Sequence, residues 1–488
     1  MLFNSYEFLF AYLPVVFLLF FIIGKRHHLS AAAFLGLASL FFYAWFSIGA
    51  LPILLGSIVI NYLFGLKISA TSQKAWLTLA IIFNLALLSF FKYANFFIDN
   101  VNYLSHSSDT LPILDIALPI GISFFTFTQI AFLVDCYQGQ VKEKNFVHYL
   151  LFVTYFPHLI AGPVLHHAQM MPQFAKKETY TLDYEKIALG LLVFTMGLAK
   201  KILIANPLGE YADSFFNGVD TESTPNFGNA WLGTLAYTFQ IYFDFSGYTD
   251  MAIGISLLFG IHLPINFNAP YQATNIIEFW RRWHISLSNF LRDYLYIPLG
   301  GNKKGISQRY INLMITMILG GLWHGANWTF ILWGLAHGLL LSWNHFWRSL
   351  AISQVLNQRI LKPLFWLFTF IVICLTWVVF RVDHVHHLEP IYRGLLGLNG
   401  FDNIKSSWAF AEHLKASRLY ELLGISFLII YLGKPSHHLL DSLRQWHQKT
   451  LWIPLGLKLN VVALATFLFM MYCINMVGNY NPFLYFQF

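Results

Sequence analysis

The chain has 488 residues, 57% of them hydrophobic and only 11% charged, with three cysteines and a formal net charge of +7. An ordinary soluble protein is nearer a quarter charged, so this composition excludes a soluble globular fold. The basic residues sit in short loops, which fits membrane orientation and anionic lipid or cofactor phosphates and excludes nucleic acid as the partner. Cys136, Cys374 and Cys473 all lie in or beside apolar runs and offer neither a disulfide framework nor a metal-ligand spacing.

Apolar runs recur at Phe8–Ile23, Leu51–Leu66, Ala75–Phe91, Leu364–Phe380 and Val461–Met476. Each is close to the roughly 17–25 residues a helix needs to cross the hydrocarbon core. They predict an all-α polytopic membrane protein with about 11 crossings, organised as one domain over residues 1–488. The first run lacks a basic leader and a clear cleavage site, so it reads as a retained helix. Lys25-Arg26 follows it, which places the N-terminus outside and this loop in the cytoplasm. Phe46–Ala50 carries no positive charge, Lys67 and Lys74 bracket the next loop, Asn95–Asp115 carries only acids, and Lys142 and Lys144 follow, so the alternation holds for four helices or five.

Beyond this point the alternation fails. Thr154–Pro163 has basic residues on both sides and is broken by Pro157, Gly162 and Pro163, and the run Ile187–Ala199 is short and ends at Lys200-Lys201. Broken segments at membrane depth are tolerated only where they pack in protein or line a cavity. Re-entrant or interfacial pieces are therefore expected over about 150–205, and again over about 275–300. Asn217–Asn229 reads as polar loop and Asn399–Arg418 as a polar insertion.

Four constellations carry chemistry. Asp244 and Asp250 lie inside Leu232–Ile261, which otherwise reads as a membrane helix; a central Asp costs about 2.5–3.5 kcal/mol on insertion scales. Gln240, Asp244 and Tyr248 fall on one helical face, either as a network that locks helices or as a wall of a reaction cavity. In Phe279–Tyr294, Trp280, Trp283, Leu287, Phe290, Leu291 and Tyr294 share one face, while Arg281, Arg282, Ser288, Asn289, Arg292 and Asp293 share the other. That is the pattern of one amphipathic interfacial helix, with His284 on its apolar side. It serves either as plain anchoring or, through Arg281 and Arg282, as a site for the phosphates of a cytoplasmic donor.

The third constellation is Gly321-Leu-Trp-His-Gly-Ala-Asn-Trp328, inside a stretch with no Asp, Glu, Lys or Arg between Arg309 and Arg348. A histidine at this depth is expensive unless it faces protein or a cavity, which makes His324 a functional candidate. Asn327 and Trp328 lie on the same helical face. The stretch would be roughly 57 Å long as a single helix, so a break is expected near Gly325–Trp328. The fourth is a set of histidine clusters, His27-His28, His166-His167, His384–His387 and His437-His438; none shows a metal-ligand spacing, and they read as loop-edge histidines. The histidine and the two intramembrane acids are also compatible with a proton-coupled glycan transporter, although no internal repeat is present, or with a purely structural scaffold.

The chain resembles the membrane-bound O-acyltransferases, in particular the bacterial branch that acetylates alginate. The resemblance is carried by Met1–Phe10, Leu118–Phe127, Phe156–Pro163, Tyr242–Tyr248, Phe279–Ser288, Gly321–Trp328 and the terminal Phe486-Gln-Phe, in order along the chain. It implies a ring of tilted helices around a tunnel and a cytoplasmic thioester donor, either acetyl-CoA or an acyl carrier protein. It also implies outward transfer of the acyl group to a cell-surface polysaccharide by way of an SGNH-type transferase, in the inner membrane. His324 maps onto the family's characteristic histidine and His284 onto its second. Asn327, Trp328, Arg281, Arg282, Asp244 and Tyr248 are then candidates for donor or substrate contact. A related branch that D-alanylates teichoic acids shares most of these motifs, and D-alanyl or peptidoglycan O-acyl transfer in the same family is the alternative that the resemblance implies.

Overall fold

A computed structural model describes residues 1–105, 110–160, 162–219, 224–350, 359–401, 415–436, 438, 455–476 and 483–484. Most of the polar insertion, residues 402–414, and the terminal Phe486–Phe488 lie outside the described residues. The described chain is helical with no strand. Its helices are α1 Phe8–Gly24, α2 His28–Phe46, α3 Ile48–Thr71, α4 Lys74–Ser105, α5 Ile122–Tyr137, α6 Phe146–Thr154, α7 His167–Phe174, α8 Tyr184–Gly218, α9 Phe227–Leu258, α10 Ile276–Trp280, α11 Ile285–Leu291, α12 Ile306–His324, α13 Trp328–Ser349, α14 Lys362–Arg381, α15 Leu388–Leu395, α16 Ala416–Leu432 and α17 Leu455–Asn475. Among the described residues α2, α3, α4, α8 and α14 are long and apolar enough to cross a membrane, and α1 and α5 are shorter apolar helices. The chain is a multi-pass membrane protein.

The helices fall into two compact units. The first comprises Met1–Thr195, Tyr248–Ile265 and Thr450–Phe469; the second comprises Met196–Gly247, Asn266–Lys449 and Met470–Phe488. In the first unit, α3, α4 and α5 are tied by buried amides. Ser57 Oγ donates to Gln129 Oε1 at 2.8 Å, Asn84 Nδ2 donates to Asn61 Oδ1 at 2.5 Å, and Asn61 Nδ2 also bonds Gln129. Lipid provides no hydrophobic drive between helices, so such polar pairs and close packing hold them. Between α6 and α8 the chain runs through short pieces, including a single turn at Phe156–Leu159, as the prolines predict. Tyr248 stacks on Phe3, with ring centroids 4.8 Å apart, inside this same unit.

Two expectations need correction. Ile187–Ala199 is not a short piece ending at Lys200-Lys201: α8 continues through a π-helical stretch at Lys200–Ala205 to Gly218. The reason is a buried ion pair. Lys201 Nζ lies 2.5 Å from Asp244 Oδ1 on α9, both side chains are at least 95% buried, and the other carboxylate oxygen accepts from Leu484 N at 3.0 Å. A lysine whose charge is matched in this way does not mark a helix end. The second correction concerns Phe279–Tyr294, which is not one amphipathic helix: α10 ends at Trp280 and α11 starts at Ile285, with His284 between them. The division of faces survives the break, since Trp280, Trp283, Leu287, Phe290 and Leu291 are buried and Arg281 is exposed.

In the second unit α12 and α13 form a hairpin whose break, at Gly325–Asn327, falls where the charge-free stretch predicts it. The two helices touch through glycine. A Cβ at Gly321 would lie 2.2 Å from the Phe330 carbonyl, and one at Gly334 would lie 2.3 Å from the Met317 carbonyl. Neither neighbour is a flexible side chain that can step aside. Gly334→Ala should therefore cost about 1–3 kcal/mol or more, read as a lower thermal-unfolding midpoint in detergent. Asp244→Ala leaves Lys201 buried without its counter-charge and should cost about 3–5 kcal/mol in the same measurement; adding Lys201→Met should recover much of that loss.

Candidate active site

The site is built from two interruptions of helix in the second unit. At the first, the chain before α10 supplies its own anchor. Asn266 Oδ1 lies within hydrogen-bonding distance of Ser286 N (3.1 Å), Ser286 Oγ (2.9 Å) and His284 Nδ1 (3.2 Å), while the Asn266 backbone carbonyl accepts from Ile285 N at 2.9 Å. Asn268 N donates to the Arg282 carbonyl at 2.9 Å. This clasp holds His284 in the left-handed region at φ +43°, where a side chain with a Cβ is strained. Strained residues of this kind concentrate at functional sites. His284 is fully buried, and its Nδ1 donates to Asn266 Oδ1, which leaves the lone pair on Nε2. Its ring packs 4.7 Å from Phe245 and 6.2 Å from Trp323.

The two arginines of this turn differ. Arg282 donates from Nη2 to Glu278 Oε1 at 2.7 Å and from Nη1 to the Asn268 carbonyl at 3.4 Å, so it braces the turn. Burial works against the Glu278 anion, yet hydrogen bonds from Thr274 and the Arg282 charge outweigh it and hold the carboxyl below its ordinary range. Arg281 is exposed beside this brace.

The second interruption carries His324, the last residue of α12. It is 5% exposed and ringed by aromatics, with centroids at 4.9 Å from Trp323, 5.3 Å from Trp333 at 90°, and 5.1 Å from Phe380. Asn327 sets the bend. Its Oδ1 caps α13 by accepting from Thr329 N at 3.0 Å, and its Nδ2 donates to the Asp383 carbonyl at 2.6 Å just past α14. That second bond brings the end of α14, and with it Phe380, over His324. Trp328 is half exposed. His324 and His284 thus both pack against one indole, Trp323. Asp244 belongs to the same unit, but its carboxylate serves Lys201 and Leu484 N; Tyr248 contributes to the other unit.

Sequence reasoning missed several residues that shape this site. Asn266 gave no signal, because its partners lie about twenty positions away in a stretch without periodicity. Tyr271 is a hub: its hydroxyl donates to the Thr238 carbonyl at 2.6 Å and accepts from Trp377 Nε1 at 3.0 Å, and its carbonyl accepts from Trp366 Nε1 at 2.7 Å. His337 lies on α13 in the same charge-free stretch as His324 and between glycines, so the reasoning that selected His324 would have selected it too. Its Nδ1 accepts from Trp280 Nε1 at 3.2 Å. Among the described residues no three His, Cys, Asp or Glu side chains are placed to hold a metal ion. His384, His386 and His387 gather with ring centroids 4.1–5.4 Å apart beside Asp383, and His437 lies outside the described residues.

Comparison with known proteins shows what the chain is similar to. The family model of the membrane-bound O-acyltransferases matches residues 40–382. The chain is 43% identical over 490 residues to a peptidoglycan O-acetyltransferase of Helicobacter pylori, covering 91% of both. It is 39% identical over 508 residues to a probable alginate O-acetylase of Pseudomonas putida, covering both completely. It is 28% identical over 295 residues to a teichoic acid D-alanyltransferase of Bacillus subtilis, covering 58% of this chain and 74% of that one.

Asn266→Ala removes the shared acceptor of Ser286 and His284 while leaving the helices in place. It should lower turnover by about one to two orders of magnitude, since misplacing a reacting group by about 1 Å can cost a hundredfold. The measurement is acyl transfer by purified protein, with the elution profile in detergent as the control for folding.

Proposed function

The chain belongs to the membrane-bound O-acyltransferase family, and from that premise we propose that it moves an acetyl group from a cytoplasmic thioester, acetyl-CoA or an acyl carrier protein, towards hydroxyls of a cell-surface polysaccharide. Full-length similarity to an alginate O-acetylase favours alginate or a similar glycan as the acceptor. Similarity to a peptidoglycan O-acetyltransferase supports peptidoglycan as the second reading. Acetyl is preferred over D-alanyl because the D-alanylating relative matches a smaller part of the chain at lower identity. The family match draws on both compact units, which supports the whole chain working as one domain. We place the protein in the inner membrane with its N-terminus outside, on the distribution of basic residues between loops. Membrane lipids, an SGNH-type transferase and the polysaccharide machinery are its expected partners.

The observation that carries the reading is His324, buried at a helix break beneath three aromatic rings. A neutral imidazole there accepts the proton of an acceptor hydroxyl as its oxygen attacks the thioester carbonyl. The O–C bond forms, the C–S bond breaks, and the proton passes on to the departing thiolate. Excluding water strengthens every dipole directed at the carbonyl in this step. His284, held by Asn266 and packed beside Trp323, orients the reactants. Arg281 meets the phosphates of the donor while Arg282 keeps the turn rigid. Asn327 acts through the bend it fixes, with Trp328 at the bend's exposed edge. Asp244 and Tyr248 act at a distance, by locking helices.

The test compares wild type with His324→Ala in nanodiscs, using radiolabelled acetyl-CoA and, separately, acetyl carrier protein. General-base catalysis contributes about 10²–10⁴-fold, so thioester consumption should fall at least a hundredfold with the fold retained. Wild-type turnover by His324→Ala would remove His324 from the chemistry.

A further inference from the structure

His337 has no part in the mechanism above, yet it is fully buried against Trp333, a ring that also packs on His324. An indole N–H can only donate. Trp280 Nε1, 3.2 Å from His337 Nδ1, therefore requires a lone pair on Nδ1. The ring is then neutral, with its proton on Nε2. Nε2 has no hydrogen-bond partner among the described residues. Its neighbours are rings that offer no acceptor atom: Trp333 at 4.6 Å, Trp280 at 5.3 Å and Phe279 at 6.4 Å. Buried donors are almost always satisfied, and one that is not points to a ligand or to stored strain.

The position of Trp333 constrains what ligand could reach Nε2. Its indole lies between the two histidines, 4.6 Å from His337 and 5.3 Å from His324. His337 sits about one helical turn beyond Trp333 on α13. A ligand whose reacting carbon meets His324 and whose chain runs across Trp333 brings its next polar group to His337. In a pantetheine thioester that group is an amide, its nitrogen joined to sulfur through two methylenes and its carbonyl carbon lying about 5 Å from sulfur by standard bond lengths. The apolar ethylene linker suits the indole face, and the carbonyl oxygen suits an N–H donor.

We infer that His337 Nε2–H is the hydrogen-bond donor to the first amide carbonyl of the pantetheine arm. This rests on the thioester reading above and adds a recognition residue to it. No proton is transferred at His337, so it contributes to donor binding and leaves the acyl-transfer step to His324. The chemistry is common to acetyl-CoA and to a phosphopantetheinyl carrier protein, and the inference holds for either source.

The test uses two small donors with the full-length protein in nanodiscs. S-acetyl-N-acetylcysteamine keeps the thioester and the amide; S-butyl thioacetate keeps the thioester alone. Wild type should favour the amide-bearing donor about tenfold in KM, the size of one net hydrogen bond. His337→Phe should abolish that preference, and His337→Gln, whose amide N–H2 reaches the place of Nε2, should retain most of it. Equal KM values for the two donors in wild type, or an unchanged ratio in His337→Phe, would overturn the inference while leaving the acyltransferase reading intact. Consumption of neither small donor, nor of acetyl-CoA or acetyl carrier protein, by wild type would overturn the thioester reading and the inference with it. Parallel assays with acetyl-CoA and acetyl carrier protein show which source is used, and His337→Phe should raise the KM of whichever is consumed.

Discussion

Breaking a helix among buried apolar side chains frees backbone N–H and C=O groups that those neighbours cannot satisfy, and two asparagines meet that demand here. Asn327 caps α13 and ties the bend to Asp383, while Asn266 clasps the turn between α10 and α11. Both breaks border on a histidine. An unbroken helix would bury His324 in its own wall and carry His284 round to a different face. The polar economy of the backbone and the placement of the chemistry are therefore the same structural fact. The aromatic residues between the breaks, chiefly Trp323, Trp333 and Phe380, then fix where each imidazole sits and keep water from it.

The buried tryptophans and tyrosines of the second unit divide the work in a consistent way. Their ring bodies fill the space around the histidines, and several of their polar tips find specific oxygens or nitrogens. Trp377 and Trp366 both bond Tyr271, and Trp280 bonds His337. A packed aromatic cluster made only of phenylalanine would fill the same volume without setting any tautomer. Here His284 is fixed as a donor at Nδ1 and His337 as an acceptor at Nδ1, so two buried imidazoles of the same unit carry opposite tautomers.

Much of this was legible in the sequence, for reasons that can be named. The membrane helices follow from runs of apolar residues, and the break before Asn327 follows from the length of a charge-free stretch. His324 stands out because an ionisable residue at that depth is costly. Legibility failed where a residue's meaning depends on a distant partner. Lys201 reads as a helix end until Asp244 is placed beside it. The Phe279–Tyr294 pattern reads as one helix because the side-chain faces are correct, and only the clasp from Asn266 shows that the backbone turns at His284. His337 was passed over, although its place between Gly334 and Gly338 in the same charge-free stretch does not differ in kind from that of His324.

The Lys201–Asp244 pair also constrains how the protein is made. The lysine leaves the ribosome before its aspartate, so α8 reaches the bilayer as a helix with an uncompensated cation near its middle. The Asp244 carboxylate then receives its last partner from Leu484, a residue synthesised 240 positions later. Insertion and assembly are accordingly out of step. Segments integrate one after another, but Lys201 gains its counter-charge only when α9 follows α8, and the Asp244 carboxylate gains its last hydrogen bond only when the distal chain returns to α9.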